Sequence, residues 1–345
     1  MKKKLLFLFP APANMRLAEA ARGEIPRERL YGLLELRERG WNAEISDARW
    51  IGSFSGMRQR LRRLIELPSV GTFRDMRDAD IIVVKDSFST TLLAQARIAD
   101  KPLVYLDAMF GTPRKAYVRQ TTGINLKHAA AVCCYSKYQA DDWAKAFDLP
   151  PSRIDVMPYC IDCEFYPRLE RDISDPPYVI SVGRDPGRDF ATLIAACENA
   201  GVALKLVTLP YLLPENAKKS PHVEILQNLS YQDLFDLYAG ASMAVIPLKK
   251  GITYPSGIRA MLESAALGVP TIVSETMVLP EYLSDEEHVL YVEPEVAASL
   301  SDAIRRVLTD PLHWGKMADQ GSDEVRRNYS TESFADRFEA VLSRI

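Results

Sequence analysis

The sequence predicts two α/β domains, each built around a parallel β-sheet. Two observations lead to this fold class. Short runs rich in β-branched and aromatic residues alternate with longer stretches of helical periodicity along the whole chain. A charged segment with three prolines and no periodicity, residues 164–177, divides this alternation into two series and is predicted to be an interdomain linker. The chain has 345 residues, which is enough for two domains that each bury a core.

The first series lies in residues 1–165, the predicted N-terminal domain. A helix is predicted over residues 28–39, because Leu30, Leu33 and Leu34 fall on one face of it. The predicted strands are residues 4–9, 42–47, 81–84, 103–106, 131–135 and 154–157.

The second series lies in residues 166–330, the predicted C-terminal domain. Helices are predicted over residues 190–200 and 258–267, where apolar residues recur at i, i+3, i+4 and i+7. A last amphipathic helix is predicted over residues 333–345. The predicted strands are residues 178–182, 203–207, 223–226, 243–247 and 271–274.

Composition excludes several classes of protein. The chain is 47% hydrophobic and 26% charged, as soluble globular proteins are. Its five cysteines are an odd number in a long chain, which favours a reducing cytoplasm over a disulfide framework. Residues 1–165 hold 26 basic and 20 acidic residues, and the remainder holds 17 and 26. The basic first half lacks the interleaved aromatic residues of a nucleic-acid binder, so nucleic acid is not an expected partner.

The loop after residue 182 is the first candidate for chemistry. Gly183, Arg184, Gly187 and Arg188 follow a predicted strand and precede a predicted helix. Glycines let backbone N–H groups approach an anion, and two guanidinium groups can clamp a diphosphate. A turn with two solvated arginines is the alternative interpretation.

A second candidate follows the predicted strand at residues 243–247. Ser256, Gly257 and Ile258 begin a helix whose N-terminus can receive a phosphate or a sugar hydroxyl. Glu263, about two turns into that helix, is placed to accept hydrogen bonds from a ribose diol. Alternatively, Glu263 forms an exposed ion pair with Arg259, four residues earlier.

These motifs resemble the donor domain of retaining GT-B glycosyltransferases of family 4, the glycosyl transferases group 1. Gly183-Arg184 is similar to the family's diphosphate loop, and Glu263 with Gly268-x-Pro270 and Ser274 is similar to its sugar- and ribose-binding segment. The resemblance covers roughly residues 130–345. It implies two Rossmann-like α/β domains that face a cleft, with residues 331–345 packing back on the N-terminal domain. It also implies catalysis without a cofactor, because the nucleoside-diphosphate sugar is the co-substrate.

The sequence departs from the family pattern at two positions. Pro255 stands eight residues before Glu263, where the family has a first glutamate that implies a donor-sugar carboxylate. Arg188 replaces the family's lysine and comes slightly early. Both departures leave diphosphate binding intact as a prediction and leave the donor sugar open.

The N-terminal domain is expected to bind the acceptor. None of the four histidines stands where family members often carry one near the reaction centre, and Asp107 occupies about that position. We therefore predict a catalytic role for Asp107 beside Arg184. Lys85 and Asp86 follow the predicted strand at residues 81–84 and are predicted on the acceptor side, because ligands bind at strand carboxyl ends.

Other motifs argue against alternative sites. Pro10-Ala11-Pro12-Ala13 stands where a dinucleotide site would carry its glycines. No His/Asp/Glu cluster indicates a metal site, and Cys160-x-x-Cys163 has no second pair at ligand spacing. The basic amphipathic segment at residues 54–67 fits an anionic lipid surface or, alternatively, the outer face of a domain helix.

The predicted activity is transfer of a sugar from a nucleoside-diphosphate sugar to a hydroxyl acceptor, with retention and without a metal. The acceptor is expected to be acidic or membrane-associated, and the protein to be cytoplasmic, at the periphery of the membrane. Two alternatives stay open: a sugar-nucleotide epimerase of the same architecture, and a degenerate transferase that serves as a non-catalytic partner subunit.

Overall fold

The structure is a computed structural model. It describes residues 2–9, 13–47, 70–85, 96–106, 111–113, 115–215, 217 and 220–345. The chain divides into two units. The first unit comprises Met1–Pro158 and Thr331–Ile345, and the second comprises Tyr159–Ser330. The second unit thus begins seven residues before the predicted start of the C-terminal domain.

The first unit is built on a six-stranded parallel sheet in the order β2-β1-β3-β4-β5-β6. Its strands are β1 (Lys4–Phe9), β2 (Asn42–Asp47), β3 (Ile81–Val84), β4 (Leu103–Tyr105), β5 (Ala131–Cys134) and β6 (Ile154–Val156). All six were predicted within one residue. Four of them, β1, β3, β4 and β5, are almost continuously buried, as strands covered on both faces should be.

The helices of the first unit connect these strands. They are α1 (Ala13–Ala21), α2 (Leu33–Glu38), α3 (Val70–Asp78), α4 (Ala116–Leu126) and α5 (Lys137–Phe147), with short 3₁₀ turns at Arg27–Leu30 and Pro151–Arg153. The predicted single helix over residues 28–39 is wrong. Tyr31 and Gly32 adopt positive φ angles of 53° and 77°, and these left-handed residues separate the 3₁₀ turn from α2.

The C-terminal helix packs on the first unit. This helix, α11 (Thr331–Ser343), buries Phe334 and Phe338 against Gly32 and β1. A Cβ atom on Gly32 would lie 3.1 Å from the Phe334 ring, so the glycine serves both the turn and the close approach. Arg39 adds ion pairs to Glu332 and Asp336 of α11, both at 2.7 Å.

The second unit has its own six-stranded parallel sheet, in the order β12-β11-β10-β7-β8-β9. The strands are β7 (Tyr178–Val182), β8 (Ala203–Val207), β9 (Val223–Leu226), β10 (Met243–Ile246), β11 (Thr271–Ser274) and β12 (Leu290–Val292). The sequence predicts the first five of these and not β12.

The described residues of the second unit form five α-helices. They are α6 (Phe190–Ala200), α7 (Tyr231–Gly240), α8 (Ile258–Ala266), α9 (Ala297–Thr309) and α10 (Pro311–Asn328). The main core lies between the sheet and the helices α6 and α9, where Phe190, Leu193 and Ile304 are fully or almost fully buried. No helix among the described residues is both long and apolar enough to cross a bilayer.

The segment predicted as a linker, residues 164–177, packs on the second unit. Tyr166 is buried, and the Arg171 guanidinium donates to the carbonyls of Gly268 and Ala241. The two ends of the unit are also joined. Ile161 N–H donates to the carbonyl of Tyr329 at 2.8 Å, and Ile161 forms a parallel β-bridge with Ser330.

Tyr282 ties both ends of the second unit to its interior. The Tyr282 hydroxyl accepts from the backbone N–H of Tyr159 at 2.9 Å, and its carbonyl accepts from the Tyr329 hydroxyl at 2.8 Å. The rings of Tyr282 and Tyr329 stack at a centroid distance of 5.0 Å.

Candidate functional site

The strand order of the second sheet indicates where a ligand binds. β7 and β10 are neighbours in the middle of the sheet, and the chain runs outward from β7 through β8 to β9 and from β10 through β11 to β12. Such a reversal opens a crevice beyond the carboxyl ends of the two strands, where ligands of parallel α/β sheets bind. The candidate motif at residues 183–188 directly follows β7, and the motif at residues 254–263 follows β10 after an intervening loop, residues 247–253.

Backbone hydrogen bonds hold the two loops together. Arg188 and Leu248 form an antiparallel bridge. Beside it, Asp189 N–H donates to the Pro247 carbonyl at 3.1 Å and Lys249 N–H donates to the Gly187 carbonyl at 2.9 Å. The loops that carry the two predicted motifs are therefore held against each other.

The two arginines of the first loop lie in different environments. Arg184 is exposed and makes no hydrogen bond or ion pair with the described residues. Arg188 is only 7% exposed, and its Nε and Nη1 atoms are buried without a hydrogen bond to the described part of the chain. Burial lowers the pKa of Arg188, although the carboxylate of Asp185 opposes this shift. The interpretation of both arginines as solvated fits Arg184 and fails for Arg188.

Gly183 leaves space for the buried arginine. A Cβ atom on Gly183 would lie 2.5 Å from Nε and 2.9 Å from Cζ of Arg188, closer than heavy atoms approach. Gly183 itself is held by hydrogen bonds to β8 and its following loop, from its N–H to the Val207 carbonyl and from the Thr208 hydroxyl to its carbonyl. The glycine is thus required for packing as well as for any approach of a ligand to the backbone.

The two helices that follow the loops differ at their N-termini. Asp189 caps α6, because its Oδ1 accepts from the Thr192 N–H at 3.2 Å, and its negative charge opposes an anion there. Gly257 precedes α8 with a φ of 84° and has no side chain that caps the helix. The first N–H groups of an α-helix have no partner within the helix, so α8 offers the better anion site of the two. Ser256 and Ile258, on either side of Gly257, are buried.

Glu263 forms the predicted ion pair with Arg259, but the pair is buried on the carboxylate side. Glu263 is 7% exposed, and its Oε1 lies 2.7 Å from the Nε of Arg259. The hydroxyl of Tyr166 bridges the two side chains, donating to the same Oε1 at 2.9 Å and accepting from Arg259 Nη2 at 3.0 Å. Both protein partners use Oε1, so Oε2 is the oxygen that remains for a ligand.

Asp185 joins the two loops through side chains. Its Oδ1 accepts three hydrogen bonds: from the N–H of Gly187 at 2.6 Å, from the hydroxyl of Ser256 at 2.9 Å and from the hydroxyl of Tyr254 at 3.1 Å. Burial raises the pKa of Tyr254 to about 12, and the negative charge of Asp185 adds to the shift. Pro255, between the two hydroxyl residues, is buried and contributes no polar side chain.

The predicted acceptor-side residues lie in the first unit or outside the described residues. Lys85 follows β3 and is 8% exposed, and its Nζ lies 4.2 Å from the centroid of the Tyr31 ring and 5.6 Å from that of Phe9. Since β1 and β3 are the neighbours at which the first sheet reverses its order, Lys85 also lies at the carboxyl edge where ligands bind. Asp86, Asp107 and residues 54–67 are outside the described residues.

Metal ligation finds no support in the described ranges. No group of three or more His, Cys, Asp or Glu side chains there is arranged to hold a metal ion. Cys160 is buried and Cys163 half-buried, and the thiol of Cys163 contacts the Ile161 carbonyl.

The structure brings together most of the predicted donor residues and adds three that the sequence analysis did not assign. Gly183, Arg188 and Ser256 are linked through direct contact or through Asp185. Tyr254 also bonds to Asp185, and Tyr166 holds Glu263 on the helix that follows Ser256 and Gly257. The contacts of these three residues cross 69 to 97 positions of the chain, so no local pattern signals them.

Part of the chain also matches a known protein family. Residues 210–327 match the family model of glycosyl transferases group 1. The matched residues lie within the second unit and include Ser256, Gly257, Ile258 and Glu263. A search of curated proteins finds no match.

Solved structures with the same architecture cover nearly the whole chain. Sucrose-phosphate synthase from Thermosynechococcus elongatus matches with a TM-score of 0.73 at 17% identity, over 99% of each chain. Anabaena HepE in complex with UDP and glucose matches with a TM-score of 0.71 at 16% identity, over 99% of this chain and 100% of that one. A glycosyltransferase from Rickettsia africae matches with a TM-score of 0.74 at 14% identity, over 99% and 98%.

These likenesses show the fold. The chain has the two-domain α/β GT-B fold that the resemblance implied. The family match over residues 210–327 supports a glycosyltransferase.

Proposed function

We propose that this protein transfers a sugar from a nucleoside-diphosphate sugar to a hydroxyl acceptor, with retention, as the resemblance to family 4 implies. The donor is held by residues 183–188 and 254–263 of the second unit. In this reaction the bond between the anomeric carbon and the diphosphate oxygen breaks, a bond to the acceptor oxygen forms, and the acceptor hydroxyl loses its proton.

The observation that carries this proposal is the state of Glu263. Glu263 is nine-tenths buried and the described residues bond only to its Oε1, so its Oε2 is the oxygen placed to accept from a ligand. A ribose diol supplies two neutral hydroxyl donors for the other oxygen. Tyr166 and Arg259 fix the carboxylate, so little side-chain freedom is lost when the ribose binds.

The diphosphate is assigned to Arg184 and to the N-terminus of α8. Arg184 is exposed and has no hydrogen bond or ion pair within the described residues, and no side chain there caps the N-terminus of α8. Negative charge grows on the leaving diphosphate as the glycosidic bond breaks, and fixed positive groups stabilise that charge. Arg188 contributes from beneath Gly183, where low polarity strengthens its attraction for an anion.

Uridine diphosphate sugars are the donors to test first. Anabaena HepE, which shares the fold, was solved with UDP and with UDP-glucose. We propose that the reaction needs no metal ion, because positive side chains and helix N–H groups can do what a metal would otherwise do for the diphosphate.

We propose that the first unit binds the acceptor, with Lys85, Asp86 and Asp107 on the acceptor side and Asp107 in a catalytic role. Residues 1–165 carry a charge of +6, which favours an acidic acceptor or one at an anionic membrane surface in the cytoplasm. Co-sedimentation with anionic and neutral liposomes tests the membrane version. Equal binding of the protein to anionic and to neutral liposomes would favour an acidic acceptor that is not bound to a membrane.

A screen of nucleoside diphosphates and their sugars tests the donor. A ligand present at a hundred times its Kd adds about 2.7 kcal/mol to the stability of the folded protein, so a true donor raises the melting temperature clearly. The best donor is then incubated with the protein, and the products are separated. Release of the diphosphate supports transfer or hydrolysis, whereas an isomer of the donor sugar without release would contradict the proposal.

A further inference from the structure

Asp185 is a carboxylate with one oxygen saturated and the other without a partner in the described residues. The three donors that reach it, Gly187 N–H and the hydroxyls of Ser256 and Tyr254, all bond to Oδ1. No hydrogen bond or ion pair within the described chain involves Oδ2. The side chain is half-buried, so solvent reaches it only in part.

The position of Asp185 places it next to the proposed diphosphate groups. It follows Arg184 directly in the chain, and its bond to Ser256 puts the carboxylate beside the residue that precedes Gly257 and the N-terminus of α8. It is also held rigidly, because its partners come from two loops that the Arg188–Leu248 bridge fastens together. A group fixed in this way has a defined direction for a further bond.

The charge of Asp185 decides which part of the donor it contacts. A carboxylate repels phosphate oxygens, whereas it accepts strong charge-assisted hydrogen bonds from neutral hydroxyl groups. In a nucleoside-diphosphate sugar, hydroxyls occur on the ribose and on the transferred sugar, and the ribose is assigned to Glu263. We infer that Oδ2 of Asp185 accepts hydrogen bonds from hydroxyls of the transferred sugar, and that this residue selects donors by the positions of those hydroxyls. This inference rests on the proposed function.

The alternative is that Asp185 only fastens the two loops. The two roles use different oxygens, so an isosteric variant separates them. Asp185→Asn keeps an oxygen that accepts the three protein bonds and replaces the other oxygen with an NH₂ group, which cannot accept. A residue that only fastens the loops is little affected by this change, whereas a receptor for sugar hydroxyls loses its function.

The experiment compares dissociation constants for UDP and for UDP-glucose by calorimetry, with UDP-galactose and UDP-N-acetylglucosamine alongside. For Asp185→Asn we expect affinity for the preferred sugar nucleotide to fall about 10- to 100-fold, as for a lost hydrogen bond to a charged group. Affinity for UDP should stay constant or increase, because a negative charge near the diphosphate is removed. Asp189→Asn is the matched control, since it removes an equal charge four residues away while keeping the acceptor for Thr192.

Two further measurements make the test specific. Deoxy analogues of the preferred donor, each lacking one hydroxyl, should bind the unmodified protein more weakly but lose nothing further with Asp185→Asn, if that hydroxyl is the partner. Asp185→Glu keeps the charge and moves it by one methylene, so it should change the order of preference among the three sugars. The Asp185→Glu comparison does not depend on the stability of the Asn variant.

The outcomes separate this inference from the proposed function. If the unmodified protein binds no nucleoside diphosphate, the proposed function fails and the inference fails with it. If it binds them, but Asp185→Asn lowers the affinity for UDP and for the sugar nucleotide by the same factor, or changes neither affinity, only the inference is overturned. Asp185 then only holds the two loops together.

Discussion

Replacing Arg188 with methionine should stabilise the unliganded protein and weaken donor binding at the same time. Arg188 is only 7% exposed, and two of its guanidinium nitrogens lack a hydrogen bond with the described residues. Each unsatisfied buried group costs about 1–3 kcal/mol, and attraction to Asp185 and Glu263 recovers part of that cost. Methionine is a flexible side chain that fills the same space without polar atoms. We therefore expect a net gain of about 1–3 kcal/mol.

Denaturant unfolding, with thermal melting as a second measure, tests this prediction. For a unit of this size a gain of 1 kcal/mol raises the melting temperature by about 2–4 °C, and the denaturant dependence should stay unchanged. Affinity for UDP should fall by about tenfold or more, because a buried positive charge is removed.

Arg326→Met serves as the matched control. The Arg326 guanidinium donates to the carbonyls of Cys163, Tyr166 and Ala266 at 2.9–3.2 Å, so its removal should destabilise the same unit by about 1.5–3 kcal/mol. If Arg188→Met destabilised the protein as Arg326→Met does, Arg188 would stabilise the fold. The inference that its unsatisfied nitrogens destabilise the unliganded protein would then be refuted.

Three other predictions concern the donor site. Glu263→Gln should weaken the binding of UDP by about 1.5–3 kcal/mol while the fold is retained. An unchanged Kd for UDP would show that Glu263 only forms the ion pair with Arg259 and does not bind the ribose. Arg184→Ala should lower kcat by about 10²–10³-fold and Arg184→Lys should restore only part of it, whereas a change confined to KM would mean that Arg184 binds ground state and transition state equally. Donor turnover should survive EDTA, and loss of activity that a divalent ion restores would show that a metal is needed.

The sequence predicted the sheets well because buried parallel strands are locally recognisable. Of the twelve strands among the described residues, eleven were predicted to begin and end at the residues found in the structure or within one of them. The helix over residues 28–39 failed for a local reason that the pattern hides. The apolar spacing of Leu30 and Leu33 continues across Tyr31 and Gly32, but the backbone turns left-handed at both.

The candidate site was predicted only as far as its local motifs reach. Glycines and arginines after a strand are visible in the sequence, and so is a serine-glycine turn before a helix. The burial of Arg188 depends on the space that Gly183 leaves, and the role of Asp185 depends on hydroxyls 69 and 71 residues away. Such contacts arise from the arrangement of β7 beside β10, which no spacing within the chain reveals.

The two ends of the second unit lie next to each other, and this arrangement bears on whether the unit can be deleted from the chain. Because Tyr282 holds Tyr159 and Tyr329 together, residues 159–330 form an insertion whose entry and exit are adjacent. An insertion with adjacent ends can be cut out and its host rejoined by a short linker, at little cost in loop-closure entropy. The second unit is therefore a removable module, and the host must keep residues 331–345, since the helix they form completes the core around Gly32 and Phe7.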